Sequence, residues 1–127
     1  MKMYLIFGLI LAVLIFSGCA NNNGVGPSPS FTISISNASE YSDYEFYYVG
    51  NIWEDQLTLI ADDTEVYKLN THVTVYAVPK ELNINKNTFA EISSKSVKSQ
   101  QISLDSGNND FEVSSFDTAN GTMLLSK

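Results

Sequence analysis

Arginine is absent from this 127-residue chain, and cysteine, histidine and tryptophan each occur once. A single cysteine excludes an intramolecular disulfide, so a small exported fold would be held by burial and hydrogen bonding alone. One histidine and one cysteine are too few for a zinc site built from those ligands. His72 is the only imidazole, so any serine-type triad would have to use it, and no G-x-S-x-G motif accompanies it. Seven lysines stand against fourteen Asp and Glu, a formal charge of −7. A nucleic-acid binder neutralises phosphates with clustered Lys and Arg, so nucleic acid is excluded as a partner. An anionic membrane surface would repel the domain too. The partners this balance leaves open are a basic protein, a cation and a neutral glycan.

The N-terminus carries what the rest lacks. Lys2 precedes an almost wholly apolar run from Met3 to Phe16. Its roughly 14 residues match the h-region of an export signal and fall short of a membrane-spanning helix. The run ends on small residues, Ser17 and Gly18, followed by Cys19. Phe16-Ser17-Gly18-Cys19 resembles the lipobox of prokaryotic lipoproteins, with Phe16 where that class has an aliphatic residue. The resemblance covers only the first 20 residues or so. It implies cleavage between Gly18 and Cys19 and a diacylglycerol on the Cys19 sulfur. Residues 1–18 would then be the signal peptide, and Cys19 the first residue of the mature protein. Ala20 follows the cysteine in place of the Asp that retains some lipoproteins at the inner membrane. In a host with two membranes, the outer membrane is therefore expected. Attachment through two or more acyl chains is stable where one chain is not.

Residues 20–30, A-N-N-N-G-V-G-P-S-P-S, carry no charge and almost nothing apolar. Such a segment cannot build a core and reads as a tether, stiffened by Pro27 and Pro29. From Phe31 the pattern changes to period two, with Phe31, Ile33 and Ile35 on one face and hydroxyls on the other. Tyr44–Val49 and Val73–Val78 read as further strands, the latter stopped by Pro79. Leu57–Ala61 and Val66–Leu69 flank Asp62-Asp63-Thr64, which predicts a hairpin. Ile102–Leu104 and Phe111–Phe116 flank Ser106-Gly107-Asn108-Asn109, which predicts another. Phe116 is out of phase with Phe111 and Val113, and a bulge near Ser114-Ser115 would restore it. Asn120-Gly121 before Thr122–Leu125 is a strong hairpin signal. Thr88-Phe89-Ala90-Glu91 matches a capping box and predicts one short helix over 88–98. Many short strands with turn signals between them predict an all-β domain over 31–127. The expected architecture is a small antiparallel β-sandwich, immunoglobulin-like or transthyretin-like in outline.

The segment Tyr41–Trp53 holds Tyr41, Tyr44, Phe46, Tyr47, Tyr48 and Trp53, interleaved with acids. Tyr44, Phe46 and Tyr48 alternate as core residues of a strand. Tyr47 falls on the opposite face with Glu45. Tyr47 and Trp53 are therefore the expected exposed contact residues, suited to a glycan or a protein partner. Asp62, Asp63 and Glu65 stand close enough in sequence to share a calcium ion, although a solvated, charged turn is the commoner arrangement. The chain thus reads as a lipid-anchored, non-enzymatic binding or structural module of the cell envelope, with no cofactor. An acidic inhibitor of a basic cell-wall hydrolase is the first alternative. A small hydrolase using His72 or an acid pair is the second.

Overall fold

The alternation that begins at Phe31 builds the first strand, β1 (Phe31–Ile35), in the computed structural model, which describes residues 31–61, 64–67 and 70–127. The proposed signal, Gly18, Cys19, the tether and the pair Asp62-Asp63 lie outside the described residues. A 3-10 turn (Ala38–Tyr41) leads into β2 (Tyr44–Gly50), β3 (Thr58–Leu59), β4 (Thr64–Val66) and β5 (His72–Pro79). The helix α1 (Phe89–Lys95) follows, then β6 (Val97–Ser99), β7 (Ile102–Ser103), β8 (Gly107–Asp117) and β9 (Thr122–Ser126). The domain is all-β with one short helix, as its patterning requires. The helix has the expected capping box: Glu91 N–H donates to Thr88 Oγ1, and Thr88 N–H donates to Glu91 Oε2. It ends earlier than 98, because Val97 already belongs to β6.

The strands follow one hydrogen-bonded path, β3-β2-β5-β6-β9-β8-β1-β4, with β7 added beside β5. The sheet curls until it is nearly closed into a barrel. It is mixed, because β1 runs parallel to β8 and β6 parallel to β9. The strands that a sandwich would divide between two sheets are joined here by these pairings.

Both predicted hairpins at acidic or Asn-rich turns are replaced by crossings. β3 pairs with β2 and β4 pairs with β1, so the chain between them passes from one edge of the sheet to the other. Ala61 N–H donates to Thr64 Oγ1 at 2.7 Å, and the same hydroxyl donates to Ala61 O, which fixes the near end of the crossing. β7 pairs with β5, whereas β8 begins beside β1. A tight turn signal alone cannot tell a hairpin from a corner, since both need the same backbone dihedrals. The third hairpin is present, joining β8 to β9 across Asp117↔Thr122. Its loop is four residues long, closed by Asp117 accepting from Ala119 N–H and Asn120 N–H, with Gly121 at φ +66°. The register shift between Val113 and Ser115 is the expected bulge, and it returns Phe116 to the inner face.

The inner face holds the main core, including Ile33, Phe46, Tyr48, Val75, Phe111, Val113 and Met123. β2 and β5 are buried on both faces, because α1 and the segment before it cover their outer side. There Tyr47, Val49, Tyr76, Val78 and Ile92 pack with Leu82, Ile84 and Phe89.

Where strands change partners, side-chain amides continue the ladder. Asn37 donates from Nδ2 to Val113 O and accepts Val113 N–H on Oδ1. Gln100 treats Leu125 in the same way. Asn109 is 1% exposed. It donates to the carbonyls of Thr32, Asp105 and Gly107 and accepts Asp105 N–H at 2.9 Å. Removing this amide strands several buried backbone groups. Asn109→Ala is therefore expected to cost about 2–4 kcal/mol in urea denaturation, against about 0.5 kcal/mol or less for its exposed neighbour in Asn108→Ala. Equal losses at the two positions would show that the Asn109 clamp is not what ties β8 to β1.

Candidate functional site

β2 ends at Gly50 because the chain there must pass under another side chain. A Cβ on Gly50 would overlap the Asn70 amide. Asn70 is itself buried, and its Oδ1 accepts Ile52 N–H at 2.8 Å. Asn51 N–H donates to His72 O at 3.1 Å, and Gln56 N–H to Trp53 O at 3.1 Å. The loop 51–57 is thereby stitched to the residues that precede β5. It carries Trp53 into solvent at 58% exposure. Tyr67, just past β4, is 53% exposed. Asn70 N–H donates to Tyr67 O at 2.8 Å, a turn that holds the two together.

Trp53 and Tyr67 line one cleft, together with Tyr48, Gly50, Gln56, Thr58 and Asn70. Its volume is about 240 Å³. It lies at the rim of the sheet where β2 and β4 end and β3 begins, that is, at one mouth of the near-barrel. Such mouths are common positions for ligand sites. The opposite end is filled by aromatic rings: Tyr41 lies 4.7 Å from Phe116 between centroids, and Tyr44 packs edge-on against Phe116 at 5.1 Å.

Of the two expected contact residues, only Trp53 is exposed. Tyr47 is 5% exposed, because α1 and its preceding loop roof the outer face of β2. Its hydroxyl donates to Glu45 Oε2 at 2.8 Å. Burial, then the hydrogen bond to Glu45 and the charge on it, pushes the Tyr47 phenol up to about 12. Period-two alternation placed Tyr47 on the correct face but could not reveal that the face is covered. Tyr67, Gln56, Thr58 and Asn70 were missed. Tyr67 was assigned to a strand, and an Asn at a strand end carries no sign of whether it will be buried.

His72 stands exposed at the start of β5, its Nδ1 3.0 Å from Thr71 Oγ1. Among the described residues no serine or carboxylate side chain is hydrogen-bonded to that ring. Glu65 points outward from β4 opposite Thr32, while its suggested calcium partners Asp62 and Asp63 lie outside the described residues. Among the described residues no three metal-ligating side chains cluster. The described acids are carried by several elements: Glu40, Asp43 and Glu45 lie near the start of β2, Glu54 and Asp55 on the Trp53 loop, Glu65 on β4, and Asp110 and Glu112 on β8. Neither the family models, nor the curated proteins, nor the solved structures compared with this chain match it.

Two outcomes follow from this geometry. The raised Tyr47 value means that the folded state holds its proton more tightly than the unfolded chain does. Its stabilisation is complete below the ordinary value of 10 and is lost as pH rises from there towards about 12. Wild type should exceed Tyr47→Phe by about 1 kcal/mol near neutral pH, and that margin should vanish over the alkaline window. A margin that stays constant to the alkaline end would refute the assignment. Gly50→Ala should lower stability by about 1–3 kcal/mol through overpacking against Asn70. A urea midpoint equal to that of wild type would mean the cleft floor is not fixed by this contact.

Proposed function

We propose that this chain is a lipid-tethered lipoprotein of the cell envelope whose β domain is a non-enzymatic binding module. The observation that carries the binding role is the cleft at the open mouth of the sheet. There a solvent-facing Trp53 and Tyr67 stand over uncharged polar groups held by a rigid floor. Large aromatic side chains left half in water on a well-ordered scaffold suit contact with a partner. Among the described residues, those lining the cleft include no acid, histidine, lysine or cysteine, which favours recognition over bond-breaking chemistry.

The tether rests on the order of features at the N-terminus: Lys2, the apolar run, Ser17-Gly18, Cys19 and the neutral segment 20–30. The domain's first strand begins at Phe31, so Cys19 would be joined to the fold by a short link. Its span is at most roughly 36 Å when extended. Among the described residues the acids are carried by several elements, and the exposed aromatics gather at the cleft.

Expression of the full chain in a bacterium tests the anchor. The mature protein should begin at Cys19, carry the mass of a diacylglycerol on that residue, and sediment with membranes. Cys19→Ser should lose the lipid and the cleavage before residue 19. A mature wild-type protein with an unmodified cysteine refutes the anchor, as does a Cys19→Ser protein that stays on membranes after its signal is cut.

A further inference from the structure

We propose that the Trp53–Tyr67 cleft binds one pyranose ring of a neutral glycan. The inference rests on reading the domain as a binding module and gives that module its ligand class.

Four large apolar side chains are exposed among the described residues: Trp53, Leu59, Tyr67 and Leu124. The two aromatics both border the same cleft. A sugar ring presents axial C–H groups on its faces and hydroxyls around its edge. Aromatic rings offer flat, weakly negative faces to the former. Gln56, Thr58 and Asn70 offer amide and hydroxyl chemistry to the latter, with both donors and acceptors. This is the composition expected of a small-ligand site: a mainly apolar contact with a few placed polar groups.

Charge narrows the ligand. Among the described residues, none that lines the cleft is an acid, a lysine or a histidine. An anion entering it would pass Glu54 and Asp55, both exposed on the same loop. A cation would find no carboxylate among the described residues of the lining. Desolvating either charge unpaired is costly, so a neutral ligand is favoured. Size narrows it further. At about 240 Å³ the cleft is smaller than pockets for drug-sized ligands. Those run from roughly 300 Å³ upward, which leaves room for a single ring.

The site is also preorganised. The Asn70 amide lies against Gly50 and holds Ile52 N–H, so the loop bearing Trp53 need not be ordered on binding. Its position matters as well. Phe31, the first residue of β1, pairs with Val66, the residue before Tyr67. The link to Cys19 therefore leaves from the rim that carries the cleft. On the lipoprotein reading, the glycan would be met close to the membrane.

Trp53 is the only tryptophan in the chain, so its fluorescence reports on the cleft directly. The full chain, purified in a detergent without a sugar head group, is titrated with linear tetrasaccharides of glucose, N-acetylglucosamine, mannose and galactose. At least one should shift the Trp53 emission saturably below about 10 mM. Tyr67→Ala should weaken that binding about tenfold or more, while Leu124→Ala, on the far side at β9, leaves it unchanged. Circular dichroism melts of both variants check that the fold is intact. Lack of a saturable shift with any of the four overturns the proposal. A shift unaffected by Tyr67→Ala in a folded protein also overturns it. So does binding of tetragalacturonate or tetralysine in place of the neutral probes, or recovery of an envelope protein crosslinked at a photoreactive residue in place of Gln56 while the sugars fail. Failure of the sugars with Cys19 still lipidated removes this inference alone. Sugar binding with an unmodified Cys19 removes only the tether.

Discussion

The two edge strands of this sheet are consecutive in the chain, and the rest of the fold depends on that constraint. β3 borders β2 at one end of the strand order, and β4 borders β1 at the other. Four residues, 60–63, connect them. The polypeptide itself therefore ties the edges of the sheet together, which forces it to curl and converts its apolar face into an enclosed core. In a chain with one cysteine this connection takes the role a disulfide would play in many small exported domains. It also blunts the edges. β3 has two residues and β4 three, too few to template another chain. The cost is kinetic, because β1 meets β8 through contacts such as Thr32 to Asn108, 76 positions apart. Loop closure over such distances comes late, so the topology is of the slow-folding kind.

Curling a sheet from short strands creates many places where a strand ends before its neighbour does. Each leaves backbone N–H and C=O groups that must find partners. The amides of Asn37, Gln100 and Asn109 meet that need by presenting a carbonyl and an N–H in nearly the geometry of a peptide group. Ser99 contributes similarly, accepting Val75 N–H on its hydroxyl at 2.9 Å. Such side chains let the ladder change partner without an unpaired group. They explain how β1 can stop at Ile35 while β8 continues to Asp117.

These same residues mark where the sequence was legible and where it was not. Period-two alternation located β1, β2 and β5, the phase break at Phe116 located the bulge, and Thr88 with Glu91 located the helix start. All are local patterns, set by residues that lie within a few positions of each other. The pairing of strands is not local. Asp62-Asp63-Thr64 and Ser106–Asn109 read as hairpins because a corner and a hairpin use the same residue types. Asn109 reads as a turn residue, and only the arrival of β1 alongside makes it a buried clamp. Tyr47 was misjudged for the same reason. Its face of β2 is covered by a helix more than forty positions later. At the site, Trp53 could be singled out as part of the aromatic, acid-rich segment 41–53. Tyr67 could not, because the cleft exists only once β4 has been brought across to the far edge.

That last point links the constraint to the proposed function. β3 and β4 are joined by the chain but form no ladder with each other among the described residues, so the sheet keeps a seam. Thr58 lies at the start of β3 and Tyr67 just beyond β4, on opposite sides of that seam, and both line the cleft. Tyr48 and Gly50 line it from the end of β2, where β3 begins. The other end of the sheet has its gap filled by Tyr41, Tyr44 and Phe116. Two short edge strands thus produce one sealed end and one open end. The open end has a rigid floor, because Gly50 lets Asn70 lie against it. A fully closed barrel would have lost the opening, and longer edge strands would have offered a surface for sheet extension instead. The proposed binding site follows from how incompletely this small sheet closes.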